Sequence, residues 1–270
     1  FMGIALVAVI ATFLYFLGSS GTINITLEGA AQATGVIILA IAVLFFGSVL
    51  GFGGLESVEK KRVVVCFFVF LGASIFWAGF EQAASSLNLF AERLTDRNVF
   101  GWEAPASWLQ SINPLFIITL APVFGWLWVW LDKRKKEPSL PLKFGLGLVL
   151  LAVGFLVIAW GATYTVEGQL VSPAWLVSTY FLHTCGELCL SPVGLSSITK
   201  LSPPKFVGQM MGTWFMGAAL GNLIAGLGAG QVETLPLPQL FFTVSISVGV
   251  AGVLFFVFAR PIRRMMGGVH

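Results

Sequence analysis

The chain has 270 residues, of which 57% are hydrophobic and only 10% are charged, and its mean hydropathy is +0.92. Because soluble domains carry about 25% charged residues, this composition excludes an ordinary soluble domain and indicates a membrane protein with several spans. The net charge of +3 does not indicate nucleic-acid binding, since the basic residues are distributed as in a membrane protein.

Long apolar runs separated by short polar breaks predict eight helices. A helix of 29 residues is about 43 Å long, enough to cross a hydrocarbon core of about 30 Å. The period-two alternation of barrel strands is not seen. The chain begins directly in an apolar run without the features of a signal peptide, and we expect its true beginning to lie elsewhere. The predicted helices are 2–17, 31–50, 62–90, 105–131, 142–163, 172–200, 203–228 and 239–258.

The positions of lysine and arginine predict the orientation of these helices. Thirteen of the 15 basic residues fall in breaks that alternate helices would bring to one side, and acidic residues dominate the other side. Positive charge marks the cytoplasmic side of membrane proteins. We therefore expect both ends of this chain in the cytoplasm and an even number of spans. The thirteen lie at 60–62, 133–136, 143, 200, 205, 260, 263 and 264.

The Gly-rich and then charged segment 51–62 predicts a boundary between two units. Residues 1–55 would form an accessory pair of transmembrane helices, and residues 62–264 would form a six-helix bundle. Six helices are the half-unit of a large class of transporters whose halves pack around a site near the middle of the membrane.

Acidic residues inside apolar runs are the first candidates for function, because a carboxylate at membrane depth normally faces a protein interior or a water-filled cavity. Glu81 interrupts the third run, and Trp77 lies one turn earlier on the same helix face. We interpret this face as a cavity wall with a titratable acid. The alternative is that Glu81 lies among the lipid headgroups at the outer end of the helix.

Asn113 is followed by Pro114, which removes a backbone donor and can leave a carbonyl group free. An amide in a membrane helix can line a cavity, or it can hydrogen-bond to a neighbouring helix as a purely structural contact. The sequence leaves both interpretations open.

Glu187 is the strongest candidate for a functional residue in the chain. His183, Glu187 and Ser191 are spaced by four residues and form a polar stripe on one helix face, and Pro192 predicts a kink beside them. Apart from the basic residues assigned to the breaks, no lysine or arginine lies in an apolar run to pair with Glu187. A carboxyl group in this setting can exchange a proton for a cationic ligand. His183 alone is better explained by packing than by a proton relay.

The segment 208–226 is rich in glycine, and Gly217 and Gly221 are spaced for close helix contact. Trp214 lies in the same small-residue segment and needs a space to fill, either a cavity wall or the packed core. Two distant histidines predict no metal site, and no nucleophile–base pair or nucleotide motif favours an enzyme.

Four ordered motifs resemble the proton-dependent oligopeptide transporter family of the major facilitator superfamily. The resemblance covers residues 60–260, in the order of the seventh to twelfth helices of that family, and residues 1–55 resemble the extra helical pair of bacterial members. The motifs are Phe76-Trp77 with Glu81-Gln82, Gln110-Ser-Ile-Asn-Pro114, Gly186-Glu-Leu-Cys-Leu-Ser-Pro-Val-Gly-Leu195 and Gly208-Gln-Met-Met-Gly-Thr-Trp-Phe-Met-Gly-Ala-Ala-Leu-Gly-Asn-Leu-Ile-Ala-Gly226.

The resemblance implies a major-facilitator fold and symport of di- and tripeptides with protons by alternating access. Glu187 would hold the amino terminus of the peptide, and Ser191 would line the same pocket. Asn113 would contact the peptide backbone. Trp214 and Trp77 would line the pocket and the cavity. Glu81 would take part in proton coupling and in the outer gate.

The resemblance also implies a set of partners. These are di- and tripeptides, protons, the bilayer of a bacterial inner membrane, and an N-terminal six-helix bundle that is not in this chain and would carry the basic partners of Glu187 and Glu81. No cofactor is implied, with the proton as the coupling ion, and no metal. The alternatives are a relative that moves nitrate or another small solute, and a non-transporting receptor or assembly subunit.

Overall fold

A computed structural model describes residues 26–165, 169–230 and 235–269, so that the predicted helix 2–17 lies outside the described residues. The described part is helical almost throughout, as predicted. The helices are α1 (Leu27–Phe52), α2 (Ser57–Phe80), α3 (Ser86–Leu94), α4 (Ala106–Gln110), α5 (Ile112–Lys133), α6 (Leu140–Thr163), α7 (Ala174–Leu201), α8 (Val207–Ala229), α9 (Leu237–Val257) and α10 (Ala259–Met265). Two 3₁₀ turns (Glu81–Ala84 and Pro204–Phe206) and a hairpin of strands β1 (Asn98–Val99) and β2 (Trp102–Glu103) complete it.

Within the described ranges, six helical segments are long and apolar enough to cross a membrane. Each of the six corresponds to a predicted run. The predicted run 172–200, which forms α7, is not among them, because its many polar residues lower its hydropathy. At 28 residues α7 is about 42 Å long, as long as the spans on which it packs. The protein is a multi-pass membrane protein, and its most polar long helix carries Glu187.

Two predicted helices are interrupted in the structure. The run 62–90 is divided into α2 and α3 by the 3₁₀ turn at Glu81–Ala84. Gln82 stabilises this break, since its Nε2 donates to the Ala225 carbonyl on α8 (3.3 Å) and its Oε1 accepts from Ser86 Oγ (2.7 Å). The run 105–131 is divided at Ser111. Pro114 therefore lies in the first turn of α5, where its missing N–H breaks no helical hydrogen bond.

Helix α6 is packed between α7 and α9. Gly147 on α6 and Gly186 on α7 face each other so closely that a Cβ atom on either would lie 2.7–2.8 Å from the other's carbonyl oxygen. Backbone carbonyls of α6 also accept hydrogen bonds from both neighbours, Gly154 from Thr179 Oγ1 (3.2 Å) and Ala152 from Ser245 Oγ (2.7 Å). The Gly147–Gly186 contact fixes the position of α7 directly beside Glu187, and the two hydrogen bonds hold α7 and α9 to α6.

The predicted close approach of the glycine-rich helix is confirmed. A Cβ atom on Gly221 of α8 would lie 2.7 Å from the Ser74 carbonyl oxygen and 2.6 Å from Trp77 Cβ, both on α2. A Cβ atom on Gly217 would lie 3.1 Å from the Phe70 carbonyl oxygen. The small residues of α8 thus let two backbones meet and hold Trp77 in place.

Contacts at the two ends of the bundle support the predicted up-and-down threading. At one end, the loop after α3 pairs with the loop after α6, where Val171 receives a hydrogen bond from Asp96 N (2.8 Å) and donates one to the Leu94 carbonyl (2.9 Å). At the other end, Arg62 donates to the carbonyls of Met266 (3.1 Å) and Gly267 (3.2 Å) after α10. Which end faces the cytoplasm stays a prediction.

Helix α1 rests on the bundle through α8 and α2. A Cβ atom on its Gly35 would lie 3.0 Å from the side chain of Leu223, and the ring of Phe46 meets that of Phe67 edge-to-face at 5.2 Å. The rest of α1 is largely exposed, as expected of a helix that faces lipid. The predicted division into an accessory pair at 1–55 and a bundle at 62–264 stays a prediction.

We expect Gly186→Ala to destabilise the protein by about 1–3 kcal/mol, because the added methyl group would be forced against the Gly147 carbonyl. The measurement is the thermal unfolding midpoint of the purified protein in detergent. Gly125→Ala is the matched control, since a Cβ atom at Gly125 meets nothing within 4 Å. Equal midpoints for the two variants would contradict the close contact.

Candidate functional site

Helix α7 places Glu187 and Ser191 one turn apart on the same face, as the spacing predicts. Both side chains are half-buried, yet Glu187 Oε2 and Ser191 Oγ are buried atoms with no hydrogen-bond partner among the described residues. Buried polar atoms are nearly always hydrogen-bonded, so an unpartnered pair of oxygens calls for a partner or a role. The polar stripe is therefore a candidate binding surface.

Asn113 joins this stripe from α5. Its Nδ2 donates to Thr184 Oγ1 (2.9 Å) on α7, and its side chain also interacts with the carboxyl group of Glu187. Thr184 in turn donates to the Tyr180 carbonyl (2.7 Å). Asn113 thus makes the helix-to-helix contact that the structural interpretation predicts, and it also lies at the carboxyl group of Glu187.

The sequence patterns do not single out Thr184. It lies three residues before Glu187, a spacing that places both on nearby faces of one helix and could have indicated it.

Glu81 is the first residue of the 3₁₀ turn that follows α2, and its side chain is half-buried. It lies close enough to Glu187 for the charge of one carboxyl group to act on the other. Since the Gln82 hydrogen bonds hold the turn against α8, the position of Glu81 depends on that anchor. The two acids singled out in the sequence are thus electrostatic neighbours, although 106 residues separate them in the chain.

Trp77 lies one turn before Glu81, and its indole Nε1 is buried without a partner among the described residues. Its ring packs edge-to-face on Phe76 (5.9 Å) and Phe80 (5.3 Å). Phe80 in turn approaches the His183 ring at 6.4 Å. An aromatic chain therefore connects Trp77 on α2 with the polar stripe on α7.

Trp214 and His183 are packed side chains. Trp214 is only 5% exposed, and its ring lies directly against Gly194, three residues beyond Ser191. His183 is 1% exposed, lies over Gly154 and meets the Phe155 ring at 4.7 Å. The packing interpretation predicted for His183 agrees with this position. Trp214 lies behind the stripe and supports it.

The described residues provide no ion pair to Glu187. Ion pairs among these residues join Arg97 with Glu103 at the hairpin, and Lys143 with Glu137. The sequence counts Lys143 among the basic residues of a break, at the start of the predicted helix 142–163. It is buried in the first turn of α6, where it also lies over the Trp128 ring at 4.5 Å. Lys143 therefore already has an ion-pair partner, Glu137, and an aromatic partner, Trp128. The site formed here therefore has acidic and amide groups, with an aromatic wall.

Comparison with known proteins identifies the family. Residues 55–241 match the POT family, designated PTR2. The peptide transporter YePEPT of Yersinia enterocolitica is 42% identical over 271 residues, which cover 98% of this chain and 53% of the relative. The dipeptide and tripeptide permease A of Escherichia coli is 30% identical over 249 residues, which cover 88% of this chain and 49% of the relative.

Solved structures are similar over nearly the whole chain. A crystal structure of the peptide transporter POT in complex with sulfate gives a TM-score of 0.87 at 36% identity, covering 99% of this chain and 53% of that one. A POT family transporter in complex with 5-aminolevulinic acid gives a TM-score of 0.86 at 28% identity, covering 97% and 54%. The chain spans about half the length of the curated relatives it matches. The predicted major-facilitator type of fold is confirmed, and the chain belongs to the POT family.

Proposed function

We propose that this chain forms the C-terminal half of a proton-coupled symporter that carries di- and tripeptides by alternating access. The observation that carries the proposal is the Glu187 carboxyl group, which has one unpartnered oxygen on a membrane helix and Asn113 beside it. The relatives named as peptide transporters and permeases supply the substrate class.

A short peptide has an ammonium group at one end and a carboxylate at the other. In this proposal the ammonium group binds Glu187 as a charge-assisted hydrogen bond, which is stronger than a neutral one. Asn113 contacts the peptide backbone beside it, and Ser191 offers a hydroxyl group one turn further along α7. The peptide carboxylate binds basic residues of an N-terminal six-helix bundle, the proposed partner of this chain.

The aromatic residues shape the site in this proposal. Trp77 lines the cavity with a free indole N–H. Trp214 supports a side-chain pocket from behind through Gly194. Glu81 carries the coupling proton and belongs to the outer gate, since it lies at a helix break and within electrostatic range of Glu187.

The proposed location is the inner membrane of a bacterium, with both ends of this chain in the cytoplasm. The basic residues of the 60–62, 133–136 and 260–264 segments support this orientation by the positive-inside rule. Residues 1–55 form the accessory helical pair in this proposal. Neither transport of nitrate nor a receptor role is favoured by the comparisons.

We expect Glu187→Gln in the complete protein to reduce proton-driven dipeptide uptake at least about tenfold at sub-saturating peptide, because a hydrogen bond between two charged groups would be lost. The measurement is di-alanine uptake into liposomes under an inward proton gradient.

Glu92→Gln is the matched control for this experiment, since Glu92 is exposed at the far end of α3 and lies outside the site. Uptake near the unmodified level in Glu187→Gln would show that the carboxylate does not hold the peptide.

Glu81→Gln is expected to impair proton-driven accumulation more than counterflow exchange, because exchange needs a bound peptide but no net proton movement. Both rates are measured in the same liposomes, with and without a proton gradient. Equal losses in the two assays would remove Glu81 from proton coupling and leave it a binding or packing residue.

A further inference from the structure

The hydroxyl group of Thr184 determines which way the Asn113 amide faces. Thr184 is fully buried, and its Oγ1 lies 2.7 Å from the Tyr180 carbonyl oxygen and 2.9 Å from the Asn113 amide. A carbonyl oxygen only accepts, so the single hydroxyl proton must be donated to Tyr180. Oγ1 is then left as an acceptor, and the Asn113 atom that meets it must be the NH₂ group.

The second N–H of Asn113 also has an internal partner. The Asn113 side chain interacts with the Glu187 carboxyl group, and an ionised carboxylate only accepts. The NH₂ group of the amide therefore faces Thr184 and Glu187, both within the protein. Its Oδ1 has no partner among the described residues and is not one of the buried unpartnered atoms. The group left for a ligand is an acceptor.

We propose that Thr184 is a positioning residue that holds the Asn113 amide with its oxygen toward the binding site. The inference rests on the proposed function and names the chemistry that this site selects. Asn113 Oδ1 and Glu187 Oε2 are both acceptors, so this part of the site takes a substrate group with several donors, such as a free ammonium group.

Loss of the hydroxyl group removes this constraint. Valine has nearly the shape of threonine, but it cannot accept from Asn113, and the amide is then free to turn and present NH₂ to the site. A donor would face the donors of the substrate. Serine keeps the hydroxyl group and so keeps the amide in place. A substrate without the free ammonium group does not depend on this orientation.

The test is uptake by the complete protein in liposomes, with di-alanine and its N-acetylated form compared as competing ligands. Thr184→Val should raise the KM for di-alanine about tenfold, the effect of one hydrogen bond to a charged group, and change the maximal rate less than twofold. The preference for di-alanine over N-acetyl-di-alanine should fall by the same factor. Thr184→Ser should restore both values. Thr184→Ala serves as a second variant for the same measurement if the valine variant does not fold.

Two further variants separate positioning from a structural effect. Thr179→Val on the same helix is the matched control, because its hydroxyl group binds the carbonyls of Gly154 and Trp175 and does not contact Asn113. It should leave the ligand preference unchanged. In an Asn113→Ala background, Thr184→Val should add no further loss.

The outcomes distinguish the two proposals. Absence of di-alanine uptake in the unmodified protein overturns the proposed function and, with it, the selection of a donor group. Normal uptake in the unmodified protein with an unchanged preference in Thr184→Val overturns the role of Thr184 alone. Additive losses in the double variant, or no rescue by serine, also overturn that role.

Discussion

The candidate site depends on the Glu187 carboxyl group, which lies on a membrane helix and has, among the described residues, a hydrogen-bonding partner for only one of its two oxygens. A charge inside a membrane is costly unless protein groups or water solvate it. Glu187 receives the Asn113 amide but keeps Oε2 unpartnered. The contact between Gly147 and Gly186 presses α7 onto α6 directly beside this residue. The backbone is therefore tightly packed at the point where one oxygen of the Glu187 side chain lacks a hydrogen-bond partner in the described part of the chain, as expected of a site that a ligand completes.

The break at Glu81–Ala84 gives the second acid its position. A continuous helix would carry the 81–84 segment along the axis of α2, whereas the 3₁₀ turn holds it against α8 through Gln82. Two carboxyl groups within electrostatic range repel each other when both are ionised. A proton or an ammonium group that binds at one of them removes this repulsion. In the proposed function, this interaction is the physical basis on which peptide binding and protonation are coupled.

The sequence predicts those features of the site that depend on residues near one another in the chain. The i, i+4 spacing of Glu187 and Ser191 and the isolation of Glu81 follow from a helical wheel and the cost of charge. The helix break could not be predicted, because Gln82 is fixed by Ala225, 143 residues later. The spacing of Thr184 from Glu187 is local, but its contact with Asn113 could not be predicted, because 71 residues separate the two in the chain. The burial of Lys143 likewise depends on Glu137 and Trp128.

An acceptor surface on one half of a transporter has a consequence for alternating access. In the proposed function, Glu187 and Asn113 bind the ammonium end of a peptide and the backbone beside it, and the carboxylate end requires donors from the other half. A ligand with both charges bridges the two halves and stabilises their approach, whereas a ligand that lacks either end binds one half alone. Since a ligand shifts a conformational equilibrium only through its differential affinity for the two states, discrimination and closure arise from the same contacts. The orientation of one amide, fixed by one hydroxyl group, thereby enters both the choice of ligand and the conformational step.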